Sequence, residues 1–427
     1  MTPAERRALA LAGGLFVAAC LAMNLVERLP PGRRALAYVS LHLAMTALML
    51  AGWRLSRRAD DRALDALTAM SLIARATLIP VAPFTTTDPW RYLWDGAVAL
   101  AGFDAYALPP WAAELEHLRG VFPPPVDHHD VPTCYPPLAL GVFALTSLAG
   151  SAWAMDLWKL VVTLASSLTV LIARRATRGA PEANHLALVA LSPILALEAG
   201  VGAHLDALVA PAMLGSITLA RRDRWDGSAL CAGLVAALKW VPAAVLLPVF
   251  LSAPKKTRWL VIALSPLALS HGAAELLGWS PPGSLPWMAV HWNFAAPLWS
   301  ALYDRFPWHD HVIRPCLAVA GLLLLTAVSL RRAPVTHRVR DAVGAFLLTS
   351  PVLYPWYGVP LAVTSSLAPS AWALSLLTAL PVSYEVIDVY ARLGKWSPAP
   401  WVVDVIAAAA FVGLALDLAL WLRRRRA

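Results

Sequence analysis

The densest group of chemically useful side chains is the run 87–96, which reads Thr-Asp-Pro-Trp-Arg-Tyr-Leu-Trp-Asp-Gly. It places two acids, one arginine and three aromatic residues directly after an apolar stretch. A carboxylate such as Asp88 can accept a proton from a hydroxyl group, and Arg91 can bind a phosphate through its forked guanidinium. The two residues are three positions apart, so they share one face if this stretch is helical. This run is the best candidate for the chemistry of the chain.

The composition indicates a membrane protein. Of the 427 residues, 59% are hydrophobic and 14% are charged, and the mean hydropathy is +0.61. Apolar segments near the length of a bilayer span recur from end to end, which predicts an all-α polytopic membrane protein. The formal net charge of +9 comes from small basic clusters at the ends of apolar segments. Such clusters indicate membrane topology, and nucleic acid is not expected as a partner.

The basic clusters also set the predicted topology. Under the positive-inside rule, they place both termini in the cytoplasm and two large loops, 84–134 and 277–310, on the outside. Residues 1–427 are predicted to form one integral-membrane catalytic domain with about twelve transmembrane helices. The predicted spans are 8–26, 37–53, 64–82, 152–173, 184–201, 206–220, 258–276, 312–330, 339–354, 357–369, 370–384 and 401–422.

Two further segments do not fit a simple span. Segment 136–150 reaches about 22 Å as a helix, which is too short to cross a bilayer, so it is predicted to be juxtamembrane or re-entrant. Segment 228–251 has basic flanks and is interrupted by Lys239-Trp240-Val241-Pro242, which predicts two half-helices. Because the ends of broken membrane helices commonly bind ions or substrates, Lys239 becomes a candidate site residue.

The spacing of the four cysteines bears on disulfides and on metal binding. Cys20, Cys134, Cys231 and Cys316 are far apart, and all but Cys134 fall in apolar segments. This spacing indicates neither a set of disulfides nor a thiolate metal site.

Three motifs carry a resemblance to a known family. They are 88–96, then Gly-Phe-Asp-Ala-Tyr at 102–106, then His-Asp-Val-Pro-Thr-Cys-Tyr-Pro-Pro at 129–137. In these motifs the chain resembles the integral-membrane glycosyltransferases of the C superfold, in particular the bacterial polyprenyl-phosphate-mannose-dependent mannosyltransferases. Weaker similarity continues at 198–206, 239–242 and 350–357. The chain departs from the family pattern at Thr87, where an acid is usual, and at Asp104-Ala105, where Asn-Pro is usual.

The resemblance implies an inverting transfer of one sugar, with mannose expected, from a polyprenyl-phosphate donor. The acceptor would be a lipid-linked or cell-envelope glycan on the periplasmic or extracellular face of a bacterial inner or plasma membrane. The expected partners are therefore this donor, a glycolipid or glycan acceptor, and membrane lipid.

The same resemblance assigns expected roles to the charged residues. Asp88 is expected to be the catalytic base, and the alternative is an acid that caps or turns the start of a helix. Arg91, Lys239 and His204 are expected to bind the donor phosphate. The alternatives are that Arg91 only pairs with Asp88 or Asp95 and that Lys239 extends towards the membrane interface.

The remaining candidates would contact the sugars or the lipid. Those expected at the sugar or the acceptor are Tyr92, Trp94, Asp95, Tyr135, Glu198 and Asp206. Those expected along the lipid groove are Tyr354, Trp356 and Tyr357. The alternatives are an aromatic belt at the membrane interface, a polar corner between two helices and a proline-kinked interface anchor.

No cofactor is expected to be required. His128, His129 and Asp130 are potential ligands for a divalent cation, but adjacent side chains seldom converge on one ion. A monophosphate leaving group also has less charge to neutralise than a diphosphate.

Two other classes of function remain open. A transporter or a flippase for lipids or lipid-linked sugars would also place charged residues and broken helices in the membrane, but it predicts inverted repeats that the sequence does not contain. A membrane acyltransferase predicts a histidine in the middle of a span, whereas most histidines here fall in loops or at span ends.

Overall fold

The computed structural model describes residues 1–30, 32–125, 127–178 and 185–426, and within them the regular structure is helical. The first eleven helices are α1 Pro3–Val26, α2 Arg34–Ser56, α3 Asp61–Ala76, α4 Asp88–Leu100, α5 Glu116–Arg119, α6 Pro137–Ser147, α7 Ala154–Thr177, α8 Ala187–Ala190, α9 Pro193–Gly200, α10 Asp206–Ala220 and α11 Trp225–Leu238. The others are α12 Trp240–Ala244, α13 Leu247–Ser252, α14 Lys256–Leu276, α15 Leu285–His291, α16 Pro297–Arg305, α17 Asp310–Leu330, α18 Val335–Thr349, α19 Val359–Ser365, α20 Ala371–Ala379, α21 Glu385–Leu393 and α22 Pro400–Arg426.

Seven helical segments in the described part of the chain are long and apolar enough to cross a membrane. These are Pro3–Val26, Arg34–Ser56, Ala154–Thr177, Lys256–Leu276, Pro307–Leu330, Ala371–Leu393 and Pro400–Arg423. The prediction of an all-helical membrane protein is therefore confirmed.

The predicted count of twelve spans is not confirmed. Predicted span 206–220 is a helix of 15 residues, and 357–369 contains a helix of only seven. The seven-residue helix Val359–Ser365 begins among closely spaced prolines at 351, 355 and 360, and a proline lacks the N–H that a helix interior needs. Residue 184, at the start of predicted span 184–201, lies outside the described residues.

The interior of the fold lies around α9 and α10. Every residue of α9 is buried. By contrast, only 11% of the residues in the most apolar stretch of Pro400–Arg423 are buried inside the protein. Helices α14 and α17 are similarly exposed, and many of their exposed side chains are leucine and valine. Apolar surface of this extent suits contact with lipid tails and not with water.

The predicted break in segment 228–251 is confirmed. Helix α11 ends at Leu238, Lys239 is extended with φ −157° and ψ 117°, and α12 begins at Trp240. The extended residue turns its side chain out of the helical path, which leaves its ammonium group free to contact a neighbouring helix.

The motif 88–96 lies on α4, which is held closely against α6. A Cβ atom added at Gly96 would lie 2.4 Å from the carbonyl carbon of Phe143, so no larger residue fits. The hydroxyl of Ser147 in α6 donates to the carbonyl of Leu93 at 2.9 Å. The glycine of this motif thus sets the approach of the two helices.

The two predicted outer loops pack against each other. The Asp104 carboxylate accepts hydrogen bonds from the backbone N–H and the hydroxyl of Ser280, at 3.1 and 2.7 Å. Ser284 donates from its backbone to the carbonyl of Thr133 at 3.1 Å. Asp104, one of the departures from the family pattern, therefore has a structural role as a link between the loops.

Candidate active site

Asp88 is the first residue of α4, and its carboxylate turns inward. Thr87 occupies the N-cap, and the backbone N–H of Asp88 donates to the hydroxyl of Thr86 at 3.1 Å. The Asp88 carboxylate instead lies 3.4 Å from both the hydroxyl of Tyr92 and Nδ1 of His204. Asp88 is thus not the capping residue of this helix, and its position in the first turn also stabilises a negative charge.

A pocket opens beside Asp88. It is lined by Thr87, Asp88, Arg91, Pro125, Asp127, His128, Val131, Pro132, Cys134, Tyr135, Met288 and Trp292. The Asp88 side chain remains 30% exposed, so the carboxylate is accessible from this pocket.

The pKa of Asp88 is held below its ordinary value of 3.8. Burial acts to raise this pKa, but contact with His204 and the positive charges of His204 and Lys239 outweigh it. Asp88 is consequently a carboxylate at neutral pH, which is the state that a proton acceptor needs. By contrast, burial raises the pKa of Asp95, although the charge of Arg91 opposes the shift.

Arg91 pairs with Asp95 and also binds the first outer loop. Its Nε lies 2.7 Å from the Asp95 carboxylate, and the two side chains are only 13% and 3% exposed. The other guanidinium nitrogens donate to the carbonyls of His128 and Val131 at 3.1 and 2.7 Å. The predicted alternative of pairing with Asp95 is therefore present, and Arg91 still lines the pocket.

Lys239 reaches from the broken helix to the start of α10. Its ammonium group lies 2.9 and 2.7 Å from the two carboxylate oxygens of Asp206. It also lies 5.0 Å from the centre of the Tyr357 ring. An ammonium group has three donors, so Lys239 retains capacity for a further anion, and its side chain is 21% exposed.

His204 is enclosed behind Asp88. Its side chain is 0% exposed, and the ring stacks on Trp356 with centroids 3.8 Å apart. While Nδ1 faces Asp88, Nε2 lies 3.6 Å from the Glu198 carboxylate. The Tyr384 hydroxyl donates to the same Glu198 oxygen at 2.7 Å. In this conformation the ring of His204 therefore has no surface open to a phosphate.

The predicted sugar-binding aromatic residues differ in their access to the pocket. Tyr135 lines it, whereas Trp94 is buried in the hydrophobic core. Tyr92 is also buried and stacks on Phe143 at 4.7 Å, although its hydroxyl faces Asp88. Of these rings, Tyr135 is the one placed to contact a ligand in the pocket directly.

The three residues predicted for the lipid groove form part of a continuous aromatic stack. Tyr354 stacks on Trp356 at 4.3 Å and on Phe294 of the second outer loop at 4.2 Å. Tyr357 packs edge-on against Tyr354 at 6.0 Å. An isolated β-bridge between Phe294 and Val352 holds the loop in place. The stack extends from the second outer loop to His204.

The potential metal ligands do not converge. His128 packs against Trp292 with ring centroids 5.3 Å apart, while His129 packs against Trp111 at 5.0 Å. In the described part of the chain, no group of three His, Cys, Asp or Glu side chains is arranged to hold a metal ion.

Several residues at the site were not assigned from the sequence. Tyr384 is 186 positions from Glu198 in an apolar stretch, so no local pattern points to their contact. Met288 and Trp292 reach the pocket only because the outer loops pack together. Asp127 accepts hydrogen bonds from the hydroxyls of Thr87 and Tyr390, at 2.9 and 3.1 Å. A carboxylate next to Thr87 thus comes from forty positions further along the chain.

Comparison with known proteins gives a family. No curated protein and no solved structure matches the chain. The model of a family described as alpha-(1->6)-mannopyranosyltransferase, N-terminal domain, matches residues 8–256, which is more than half of the chain. The matched part contains Asp88, Arg91, Glu198, His204 and Lys239. The chain therefore belongs to this mannopyranosyltransferase family and is a mannosyl-transferring glycosyltransferase of the membrane.

Proposed function

We propose that the chain is an inverting mannosyltransferase that uses a polyprenyl-phosphate-mannose donor. The acceptor is a hydroxyl of a lipid-linked or cell-envelope glycan. The description of the matched family names an alpha-(1->6) linkage, and we extend that linkage to this chain. The proposed fold is that of the C superfold, with the site on the outer face of a bacterial inner or plasma membrane and both termini in the cytoplasm.

In the proposed reaction, Asp88 accepts the proton of the acceptor hydroxyl while the acceptor oxygen bonds to the anomeric carbon. The bond from that carbon to the phosphate oxygen breaks, and its electron pair leaves with the polyprenyl phosphate. Attack from the face opposite the phosphate inverts the anomeric configuration. The sequence of events needs one carboxylate and one or more cations, and it needs no oxidant or cofactor.

The observation that carries the proposal is the state and position of Asp88. Its carboxylate opens to a pocket, has a lowered pKa, and lies near the basic residues Arg91, His204 and Lys239. An ionised carboxylate is the form that accepts a proton, and basic residues nearby suit a phosphate that gains negative charge in the reaction.

The donor phosphate is proposed to bind near Arg91 and Lys239. Lys239 retains donor capacity beyond its pair with Asp206, and Arg91 lines the pocket. The prenyl chain is proposed to follow the aromatic residues Tyr354, Trp356 and Tyr357. The roles of Tyr92, Trp94, Asp95, Tyr135, Glu198 and Asp206 at the sugars, and of His204 at the phosphate, remain predictions.

Transfer from a panel of donors tests the proposed function. Purified chain in liposomes would be supplied with radiolabelled polyprenyl-phosphate mannose, polyprenyl-phosphate glucose and a nucleotide mannose, together with a membrane lipid extract. We expect label in glycolipid from polyprenyl-phosphate mannose alone, with the same rate in EDTA. Transfer from the nucleotide sugar alone would contradict the donor class. Movement of the donor across the liposome without any transfer would instead indicate a flippase.

A further inference from the structure

Behind Asp88 lies a row of three buried polar side chains: His204, Glu198 and Tyr384. Nδ1 of His204 is 3.4 Å from Asp88, Nε2 is 3.6 Å from Glu198, and Glu198 accepts from Tyr384 at 2.7 Å. Neither ring nitrogen of His204 has a hydrogen-bond partner among the described residues, so both contacts are close polar approaches rather than hydrogen bonds. Buried polar groups that face only one another form a unit, because each lacks water as an alternative partner.

The local backbone fixes the ring of His204 in this row. A Cβ atom added at Gly202 would lie 2.5 Å from Cδ2 of His204, so only glycine leaves room for the ring. Ala203 has a positive φ of 49°, and its carbonyl accepts from the Trp158 indole at 2.8 Å. Trp356 covers one face of the ring. The turn between α9 and α10 is thus shaped around one orientation of His204.

The far end of the row is equally fixed. Glu198 and Tyr384 are each 1% exposed, and Tyr384 packs edge-on against Tyr38 with ring centroids 5.0 Å apart. The second carboxylate is therefore held on the opposite side of the imidazole from Asp88. A neutral imidazole can donate to only one of two carboxylates, whereas the charged form can donate to both.

We propose that His204 and Glu198 are positioning residues for the base: Glu198 orients His204, and His204 orients the Asp88 carboxylate. The inference rests on the proposed function and deepens it, since it gives a role to a histidine that no substrate contacts in this arrangement. Proton transfer remains between the acceptor hydroxyl and Asp88. The histidine acts through Asp88, from which its Nδ1 lies 3.4 Å away.

The groups that face Asp88 define what a pH experiment would detect. The basic residues are His204 and Lys239, and the other titratable neighbours are Tyr92, Tyr135, Tyr354, Tyr357 and Cys134. Burial raises the pKa of Asp88, and His204 and Lys239 lower it. Removal of His204 should therefore raise the pKa of Asp88 and move the acid limb of the activity profile to higher pH.

The test compares steady-state kinetics of wild type, His204→Asn, Glu198→Gln and the double variant, with polyprenyl-phosphate mannose as donor. We expect each single variant to lower kcat by roughly 10- to 100-fold, a part of what general-base catalysis supplies. The donor KM should stay within about twofold in both, and in His204→Asn the acid limb should move to higher pH. The double variant should be no slower than His204→Asn, because both residues act through one contact.

His42→Asn is the matched control. His42 is also buried, and both its ring nitrogens also lack a hydrogen-bond partner among the described residues. It lies in α2, where its ring packs against Tyr38, and it forms no hydrogen bond or ion pair with Asp88 or Glu198, so its replacement should leave kcat and the pH profile unchanged. Glu198→Gln keeps the side-chain volume and tests the same row if His204→Asn fails to fold.

Several outcomes would overturn the inference. An unmoved acid limb in His204→Asn would show that His204 does not act on Asp88. A large rise in donor KM with kcat unchanged would indicate that His204 binds the donor phosphate directly. An equal loss in His42→Asn would indicate a structural effect. Absence of transfer by the wild type would refute the proposed function itself, and the inference with it.

Discussion

At the scale of residues, the predicted chemistry depends on which partners each side chain already has. The types and spacing in 87–96 pointed to Asp88 and Arg91, and both lie at the pocket. Sequence spacing could not indicate that His204 comes from a turn more than a hundred positions away to face Asp88. It also left open whether Arg91 binds a ligand or pairs with Asp95 to stabilise the fold, because an arginine can do both. Contacts between distant segments decide such questions, and no local pattern encodes them.

The Arg91→Ala variant tests how much this arginine stabilises the folded protein. It leaves Asp95 buried without its charge partner, so we expect a loss of about 3–5 kcal/mol in the free energy of unfolding, visible as a lower apparent Tm in detergent. The control is Arg6→Ala, which removes a pair with Asp60 whose side chains are 57% and 43% exposed. That variant should keep an apparent Tm close to the wild-type value, because water screens an exposed ion pair. Equal small losses would mean that the Arg91–Asp95 pair does not stabilise the fold.

The Lys239→Gln variant tests the phosphate role of the lysine. A hydrogen bond to a charged group contributes about 1.5–3 kcal/mol, so its loss should raise the donor KM roughly 10- to 100-fold. The control is Lys255→Gln, at an exposed residue before α14, which should leave the donor KM unchanged. A lower Tm with no change in donor KM would mean that Lys239 only pairs with Asp206 and does not bind the donor phosphate.

At the scale of elements, the sequence predicted the break in a helix better than it predicted the number of transmembrane helices. The extended Lys239 between α11 and α12 follows from Pro242 and from basic residues on both flanks, which are local signals. The number of spans was not recoverable, since prolines at 351, 355 and 360 blur where one helix ends and the next begins. Gly96 and Gly202 likewise appear ordinary in the sequence, yet each permits a close contact with a distant or bulky partner.

The Gly202→Ala variant tests the turn between α9 and α10. The new methyl group would displace the ring of His204, so we expect kcat to fall as in His204→Asn while the donor KM is retained. Gly141→Ala is the matched control, because a Cβ atom there meets nothing within 4 Å and the residue lies on α6. Wild-type kcat in Gly202→Ala would mean that the position of the ring does not matter to the reaction.

At the scale of the whole molecule, the composition was sufficient to predict an all-helical membrane protein. The hydropathy and the recurrent apolar segments carry that conclusion, and seven helices in the described residues are long enough to span. The pairing of the two outer loops through Asp104 and Ser280 could not be predicted, because it depends on tertiary packing of segments 176 positions apart. The proposed orientation still rests on the basic clusters.

Cysteine labelling tests the orientation. In a chain whose four cysteines are replaced by alanine, Glu114→Cys should react with a membrane-impermeant maleimide in intact spheroplasts, because loop 84–134 is proposed to lie outside. Lys255→Cys, on the opposite side in this topology, should react only after the membrane is permeabilised. Both parent residues are exposed, so accessibility to the reagent is matched. The reverse pattern would place the site in the cytoplasm.

Asp88 is the residue on which the proposed mechanism depends most. The most direct measurement is the rate of mannose transfer from radiolabelled polyprenyl-phosphate mannose by wild type, Asp88→Asn and the control Asp156→Asn, an exposed acid in the first turn of α7. We predict that Asp88→Asn lowers kcat by roughly 100- to 10,000-fold while Asp156→Asn matches wild type. Wild-type kcat in a folded Asp88→Asn variant would contradict the assignment of Asp88 as the base.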